Sequence, residues 1–315
     1  MSFFNKIKQI LKVEKKEEYT GFNVIGRRRW WYFLSAFVLL PGLIALSVAG
    51  LRLGIDFTGG TVVELRNLQP ETVREVAIES GINNPDIRTS PNTVVLRHRE
   101  EVDSASEEEN INNLLSENLE KAGAEIARLD VVGPSISRDI TRKAFLAVAI
   151  MSLAIVIYIA WSFRNMPPPM RSVIFGVAAV IALLHDALFV LGMFAIFGLF
   201  LGIELDVFFV TAILTVIGFS VHDTIVVFDR IREDLHRYKG EFDEIVNRSI
   251  NEVMVRSLNT SFTTILVLLG LFIFGGNSIK YFVLALLLGM AAGTYSSIFI
   301  ASPLLVTWRN LKAKK

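Results

Sequence analysis

"LSVAGLRLGIDFTGGTVVELR", residues 46–66, changes character twice. Its first residues close an apolar run that begins near residue 31. Its last seven, "GTVVELR", alternate apolar and polar side chains like a half-buried strand. Between them lies the glycine-rich "GIDFTGG", residues 54–60. Glycine-rich turns cradle phosphates when they follow a strand and open a helix. This one follows an apolar run and precedes a strand, the wrong context for nucleotide binding. The stretch reads as a membrane span that opens directly into a folded domain.

The rest of the chain agrees. It has 315 residues, 52% hydrophobic and 20% charged, with a mean hydropathy of +0.48, too apolar for an ordinary soluble domain. Six apolar stretches, 31–50, 144–163, 172–199, 207–228, 258–276 and 281–307, are each long enough to span a bilayer. The hydrocarbon core is about 30 Å thick and needs about 20 helical residues. The third and sixth are longer and are expected to tilt or extend past the lipid. Cysteine is absent, which excludes disulfides, zinc–thiolate sites and thiol catalysis. The formal charge of +1 gives no reason to expect a nucleic-acid partner. Residues 1–30 form a basic polar tail without the layout of a cleaved signal, so the first run is read as a retained span.

The basic residues set the orientation. Lys6, Lys8, Lys12, Lys15, Lys16 and Arg27–Arg29 precede the first span. Arg164 and Arg171 bracket "MPPP". Arg230, Arg232, Arg237, Lys239, Arg248 and Arg256 fall in 229–257, and Arg309, Lys312, Lys314 and Lys315 in the tail at 308–315. The opposite short loops hold Lys280 as their one basic residue. Both termini are therefore expected in the cytoplasm and residues 51–143 outside it. Arg142 and Lys143 argue mildly the other way, but long translocated domains are weakly governed by this rule.

The block at 55–140 reads as βαββαβ: "GTVVELR", the helix "PETVREVAIESG", the strands "DIRTS" and "NTVVLRHR" around a turn at Pro91 and Asn92, a long helix over "SASEEENINNLLSENLEKAG", and "AEIARLDVVGP". The expected fold is an α-helical polytopic membrane protein. One span leads into a small α+β ferredoxin-like extracytoplasmic domain, and five spans follow. The acidic run Glu107–Glu109 is a solvated helix face with no assigned function. The cytoplasmic segment 229–257 reads as a charged helix and then an amphipathic one, an interfacial linker. Its Ile245, Ile250, Val253 and Met254 face the bundle or the interface.

Charge at the bilayer centre costs about 3 kcal/mol on insertion scales, so ionisable residues inside spans are functional candidates. The first is Asp223, in "VIGFSVHDTIVVFDRIRED" at 216–234. It lies about six residues, or ~9 Å, inside the fourth span. At matching depth the antiparallel fifth span offers Thr260, Ser261, Thr263 and Thr264, with Arg256 one turn nearer the cytoplasm. An Asp223–Arg256 pair within the bundle is expected, the hydroxyls filling the remaining lone pairs; a static packing salt bridge is the alternative. The second is His185–Asp186 in "LLHDALF", placed to hold and pass a proton. The alternative there is a hydrogen-bonded packing pair, since neighbours in a helix point to different faces. The third, His222, lies about 100° around the helix from Asp223 and reads as an accessory polar group. The sequence carries no phosphate-binding loop, metal-spaced cluster or serine with a plausible base, so neither enzymatic activity nor a cofactor or metal is expected.

Four stretches together resemble one known family. "GIDFTGGTVVEL" after a first span resembles the opening of the exported domain in the SecD/SecF translocation proteins. "VIGFSVHDTIVVFDRIRED" is similar to the fourth-span signature of the SecF half, and "LLHDAL" and "NRSINEVMVRSLNTSFTT" to SecF segments in the third span and before the fifth. The likeness runs from about Gly21 onward. The basic tail makes the free SecF form the expectation, not the back half of a fused SecDF. The resemblance implies an RND-like assembly in which SecD supplies six further spans. It also implies work with the SecYEG channel and YajC on exported preproteins, in contact with membrane lipid and driven by the proton-motive force. Protons are then the coupling ion, and Asp223, Arg256 and Thr260 match the family's proton path, with His185, Asp186 and His222 as accessory groups. Two rival readings stay open. One is an RND-type exporter of a small molecule or lipid, disfavoured by the small exported block. The other is a non-transporting scaffold of the translocase.

Overall fold

The computed structural model describes residues 21–82, 85–90, 93–98, 105–164 and 172–313. Six of its helices are long and apolar enough to cross a membrane. They are α1 (Arg28–Val48), α5 (Pro134–Ser162), α6 (Ser172–Leu201), α7 (Val207–Arg237), α8 (Phe242–Phe274) and a last span over Lys280–Leu311. That last span joins α9 (Lys280–Ser296) through a π turn (Ser297–Ala301) to α10 (Ser302–Ala313). Helices are the necessary form here, because lipid offers no partner to a free backbone N–H or C=O.

Between α1 and α5 lie the short helix α2 (Ile55–Thr58), strand β1 (Gly60–Arg66), α3 (Pro70–Glu79), β2 (Asp86–Ser90), β3 (Thr93–His98), α4 (Ala105–Lys121) and β4 (Glu125–Val132). The strands form one antiparallel sheet in the order β2–β3–β1–β4, the ferredoxin-like arrangement. The alternation in "GTVVELR" sends Val63 and Leu65 inward, where they meet Leu96 of β3, Val73 and Ala77 of α3, and Leu115 and Leu119 of α4, all fully buried. This small core is separate from that of the bundle. The expected turn at Pro91 and Asn92, the "MPPP" loop with Arg171, most of the basic tail (residues 1–20) and the side chains of Glu107–Glu109 lie outside the described residues.

The helix ends differ from the apolar runs. The α5 helix begins at Pro134, ten residues before the apolar run, and α7 continues nine residues beyond 228. The α8 helix begins sixteen residues before 258. The segment 229–257 is thus no separate interfacial linker. It is the projecting ends of α7 and α8, folded antiparallel. Arg230 of α7 bonds Glu252 of α8, and Arg248 braces the same carboxylate at 2.8 Å. Beneath them Ile231, Val246 and Ile250 are fully buried, so Ile245, Ile250 and Val253 face the bundle. Ion pairs and a buried seam carry each helix past the end of its apolar run.

Two close approaches fix the frame. The α1 and α6 helices cross at Gly42 and Gly192, where a Cβ on Gly42 would sit 2.8 Å from the Cα of Gly192. Small residues at such crossings let helices pack in lipid, where no hydrophobic force draws them together. At the other end, residues 22–25 lie on α8. Asn251 donates to the carbonyl of Phe22 and accepts from its N–H, both at 2.9 Å, and Asn247 accepts from the N–H of Ile25 at 3.1 Å.

Candidate functional site

The helix α7 carries the site, and its start is fixed from two sides. The Asp206 side chain accepts from the N–H of Phe209 at 3.0 Å, and Asp56 of "GIDFTGG" accepts from the N–H of Val207 at 2.8 Å. Two carboxylates thus complete the positive end of the helix. Burial raises the pKa of Asp206; its bond from Phe209 opposes this, and the neighbouring charge of Asp56 adds to it. The motif also grips the chain just before α7. Gly54 donates to the carbonyl of Leu205 at 2.7 Å, and a Cβ there would sit 2.8 Å from that oxygen. Gly59 leaves the motif at a φ of 72°, in the region that favours glycine.

Farther along, Ser220, Asp223, Thr224 and Val227 share the buried face of α7, spaced as neighbours on a helix surface. Asp223 is 5% exposed. Ser257 of α8 is close enough to interact with it, yet outside hydrogen-bond geometry. Asp223 Oδ2 and Ser257 Oγ both lack a hydrogen-bond partner among the described residues. His222 is exposed, as its helical phase implies.

The expected Asp223–Arg256 pair does not form within this chain. Arg256 is exposed and makes no ion pair among the described residues. The reason is helical phase. Ser257 and Ser261 face the bundle, whereas Arg256 lies one residue, about 100°, to the side. Thr260, four residues on, shares the outward face of Arg256, and its hydroxyl donates to the Arg256 carbonyl at 3.0 Å. Nor do the other threonines fill the lone pairs of Asp223. Thr263 and Thr264 donate to the Thr260 carbonyl, and Ser261 accepts from Thr294 at 2.6 Å. Arg256, Asn259, Thr260 and Thr263 on α8, with Thr211, Thr215 and His222 on α7, leave exposed polar groups on apolar helices.

A second carboxylate has the opposite character. Asp186 of α6, 1% exposed, accepts hydrogen bonds from Ser220 of α7 and from Ser296 of α9, the latter at 2.7 Å. The Nδ1 of His185 sits 2.9 Å from its other oxygen, so these adjacent residues meet although their positions diverge around the helix. The network continues through Ser297, in the π turn, whose hydroxyl bonds the Ser220 carbonyl at 3.4 Å and shares a bond with Thr224 at 2.8 Å. Asp186 thus joins three helices, whereas Asp223 has an oxygen to spare. Sequence reasoning passed over Ser220, Ser257, Ser296, Ser297 and Thr224. Their signal was hydroxyl residues inside or at the edge of apolar runs, in "GFSVHDT", "VRSLNTS" and "GTYSS".

One span, a ferredoxin-like domain, five further spans and two buried carboxylates within their apolar stretches, Asp186 and Asp223, define a polytopic membrane protein of the transport type. The chain belongs to the SecD/SecF family of protein-export membrane proteins. Residues 112–311 match the family model "Protein export membrane protein SecD/SecF, C-terminal", and residues 44–66 match the SecD/SecF GG motif. The protein translocase subunit SecF of Thermobaculum terrenum is 46% identical over 303 residues, covering 91% of this chain and 94% of its own length. That of Anaerolinea thermophila is 38% identical over 298 residues, with coverage of 91% and 94%. The crystal structure of SecDF, a translocon-associated membrane protein from Thermus thermophilus, is 32% identical and superposes with a TM-score of 0.78. The match covers 93% of this chain and 39% of that one. SecDF in its super-membrane-facing form gives a TM-score of 0.63 at 33% identity, with the same coverage.

Proposed function

We propose that this chain acts in protein export as a SecF subunit. Paired with SecD, it uses proton movement down the membrane gradient to promote the late export of polypeptides through SecYEG, and YajC joins the same assembly. The observation that carries the proton role is Asp223, a carboxylate 5% exposed in an apolar bundle with one oxygen unbonded. Asp186, the other carboxylate inside an apolar stretch, is by contrast hydrogen-bonded at both oxygens. A static Asp223–Arg256 bridge loses its footing, because the two residues face different ways.

Arg256 and Thr260 act from the outward face of α8, where exposed polar groups at membrane depth call for a partner's helices rather than lipid. The SecDF relative supports SecD as that partner, since this chain covers 39% of its length. On this reading Asp223 gains and loses a proton beside Ser257. The change in charge biases α7 and α8 between two packings and thereby moves the extracytoplasmic domain. One charge crossing 100 mV supplies about 2.3 kcal/mol, enough to shift such a balance. His185, Asp186 and His222 are accessory: the first two brace the bundle, and the third is exposed toward the partner. Protons are the coupling ion, no cofactor is assigned, and the role is transport, not enzymatic catalysis.

The protein sits in the cell membrane with both termini in the cytoplasm. In support, the domain contacts the α6–α7 connection and, through Arg128 and Ser278, the α8–α9 connection, whereas residues 22–25 lie on α8 at the other end of the bundle. The reading is tested by adding this chain with its SecD to vesicles that contain SecYEG. Completion of preprotein export should rise, and the rise should vanish when the gradient is collapsed. An equal rise without a gradient would refute the proton role.

A further inference from the structure

The small domain meets the start of α7 through two carboxylates, Asp56 on the N–H of Val207 and Glu204, and only Glu204 is held by side chains of the sheet. Glu204 lies in the short connection between α6 and α7, two residues before the Asp206 cap. Two arginines of the sheet converge on the same oxygen of Glu204, Arg88 of β2 at 2.9 Å and Arg97 of β3 at 2.6 Å. Both reach further. Arg88 also donates to the Gly202 carbonyl at 3.1 Å and to Asp86 at 2.8 Å, and Arg97 donates to the Thr58 hydroxyl at 3.0 Å and the Leu53 carbonyl at 3.4 Å. Leu53 and Leu205 add a parallel β-bridge beside them. The Arg97 and Glu204 side chains are 16% and 22% exposed, so the contact is largely shielded from water. Sheet, glycine motif and helix start therefore meet in one knot of charge-assisted bonds, whose geometry is directional.

We propose that Glu204, held by Arg88 and Arg97, is a positioning residue that gears the extracytoplasmic domain to α7, so that movement of α7 at Asp223 reaches the domain. This rests on the proton-coupled reading above. The lever is short and stiff. Glu204 precedes α7 by three residues, and α7 is one unbroken helix of 31 residues. Asp223 lies 17 residues beyond Asp206, about 26 Å along the axis at the helical rise. A rotation or shift of α7 on change of charge is delivered to the sheet through these side chains, because the other links to the start of α7, from Asp56 to the N–H of Val207 and from Gly54 to the Leu205 carbonyl, come from the segment before β1 and not from the sheet itself.

The test uses charge reversal in the complete complex with SecD, reconstituted in lipid nanodiscs and in vesicles. The variants are E204R, R97E and the exchange E204R/R97E, in which one ion pair is restored while Arg88 keeps Asp86 and the Gly202 carbonyl. Spin labels on E79C and L201C report the distance between domain and bundle, with no native cysteine in this chain to interfere. Each single reversal should broaden the distance distribution and cut the gradient-dependent gain in export about fivefold or more, within the usual range of coupling between sites. The exchange should restore both. The inference is overturned if either single variant keeps the native distribution, or if the exchange recovers folding and assembly but not the gain. D223N, run in parallel, should lose the gain with the distribution still narrow. If D223N keeps its gain, the proton reading fails, and the spin-label distances still decide whether Glu204 is the joint.

Discussion

Replacing Asp186 with alanine tests whether the second buried carboxylate is a brace. Three groups lose their acceptor: the hydroxyls of Ser220 and Ser296 and the imidazole of His185. Within a bilayer such bonds are worth about 0.6 kcal/mol on average and up to ~1.7 kcal/mol each. Three of them give a loss of about 2 kcal/mol, with ~5 kcal/mol as the ceiling from the same range. Asparagine keeps the volume, one carbonyl acceptor and an amide that can donate to a serine hydroxyl, so D186N should cost less than about 1 kcal/mol. The assay is reversible unfolding of the purified chain in mixed micelles titrated with a denaturing detergent, followed by tryptophan fluorescence. D186N should also keep its gradient-dependent export. If D186A lies within about 0.5 kcal/mol of the native chain, or if D186N costs as much as D186A, the three-helix brace is refuted.

Three other substitutions probe separate parts of the structure. G192L places a bulky side chain where α1 and α6 nearly touch, and should destabilise the fold by about 1–3 kcal/mol, read as a lower unfolding temperature in detergent. N247A/N251A removes the side chains that hold residues 22–25, so trypsin should cut faster at Arg27–Arg29 while α7 and α8 stay protected. A carboxyl whose pKa is raised on folding binds its proton more tightly in the native state, so Asp206 withdraws stability as pH rises from the ordinary aspartate range through its raised pKa. D206N keeps a capping oxygen without the charge, so its stability relative to the native chain should improve from pH 4 to pH 7; a constant difference would contradict the assignment.

Much of this fold is legible in the sequence, because lipid and pleat each impose a simple pattern. Apolar runs mark the spans, and the alternation in "GTVVELR" marks the strand that centres the sheet. Helix ends are less legible, since α7 and α8 outrun their apolar stretches on the strength of the Arg230–Glu252 contact and a buried seam, both tertiary. Depth along a span gave Asp223 its place, but depth is blind to phase. Arg256 and Ser257 are adjacent in sequence, and it is Ser257 that turns toward Asp223. The serines around Asp186 and the two arginines on Glu204 come from distant segments, and no local pattern links them. Glu204 reads in the sequence as one acidic residue in a short loop; its role follows from the sheet that docks on it.

The central claim is that Asp223 is costly to bury because it must change charge. The most direct measurement replaces Asp223 with asparagine, verifies that the complex with SecD is intact, and follows completion of preprotein export in energised vesicles with and without a gradient. Asparagine fits the same space and cannot ionise. On this account the gradient-dependent part of export disappears and the remainder is unchanged. If the intact D223N complex still exports faster with a gradient than without one, Asp223 is a packing residue and the proton passes elsewhere.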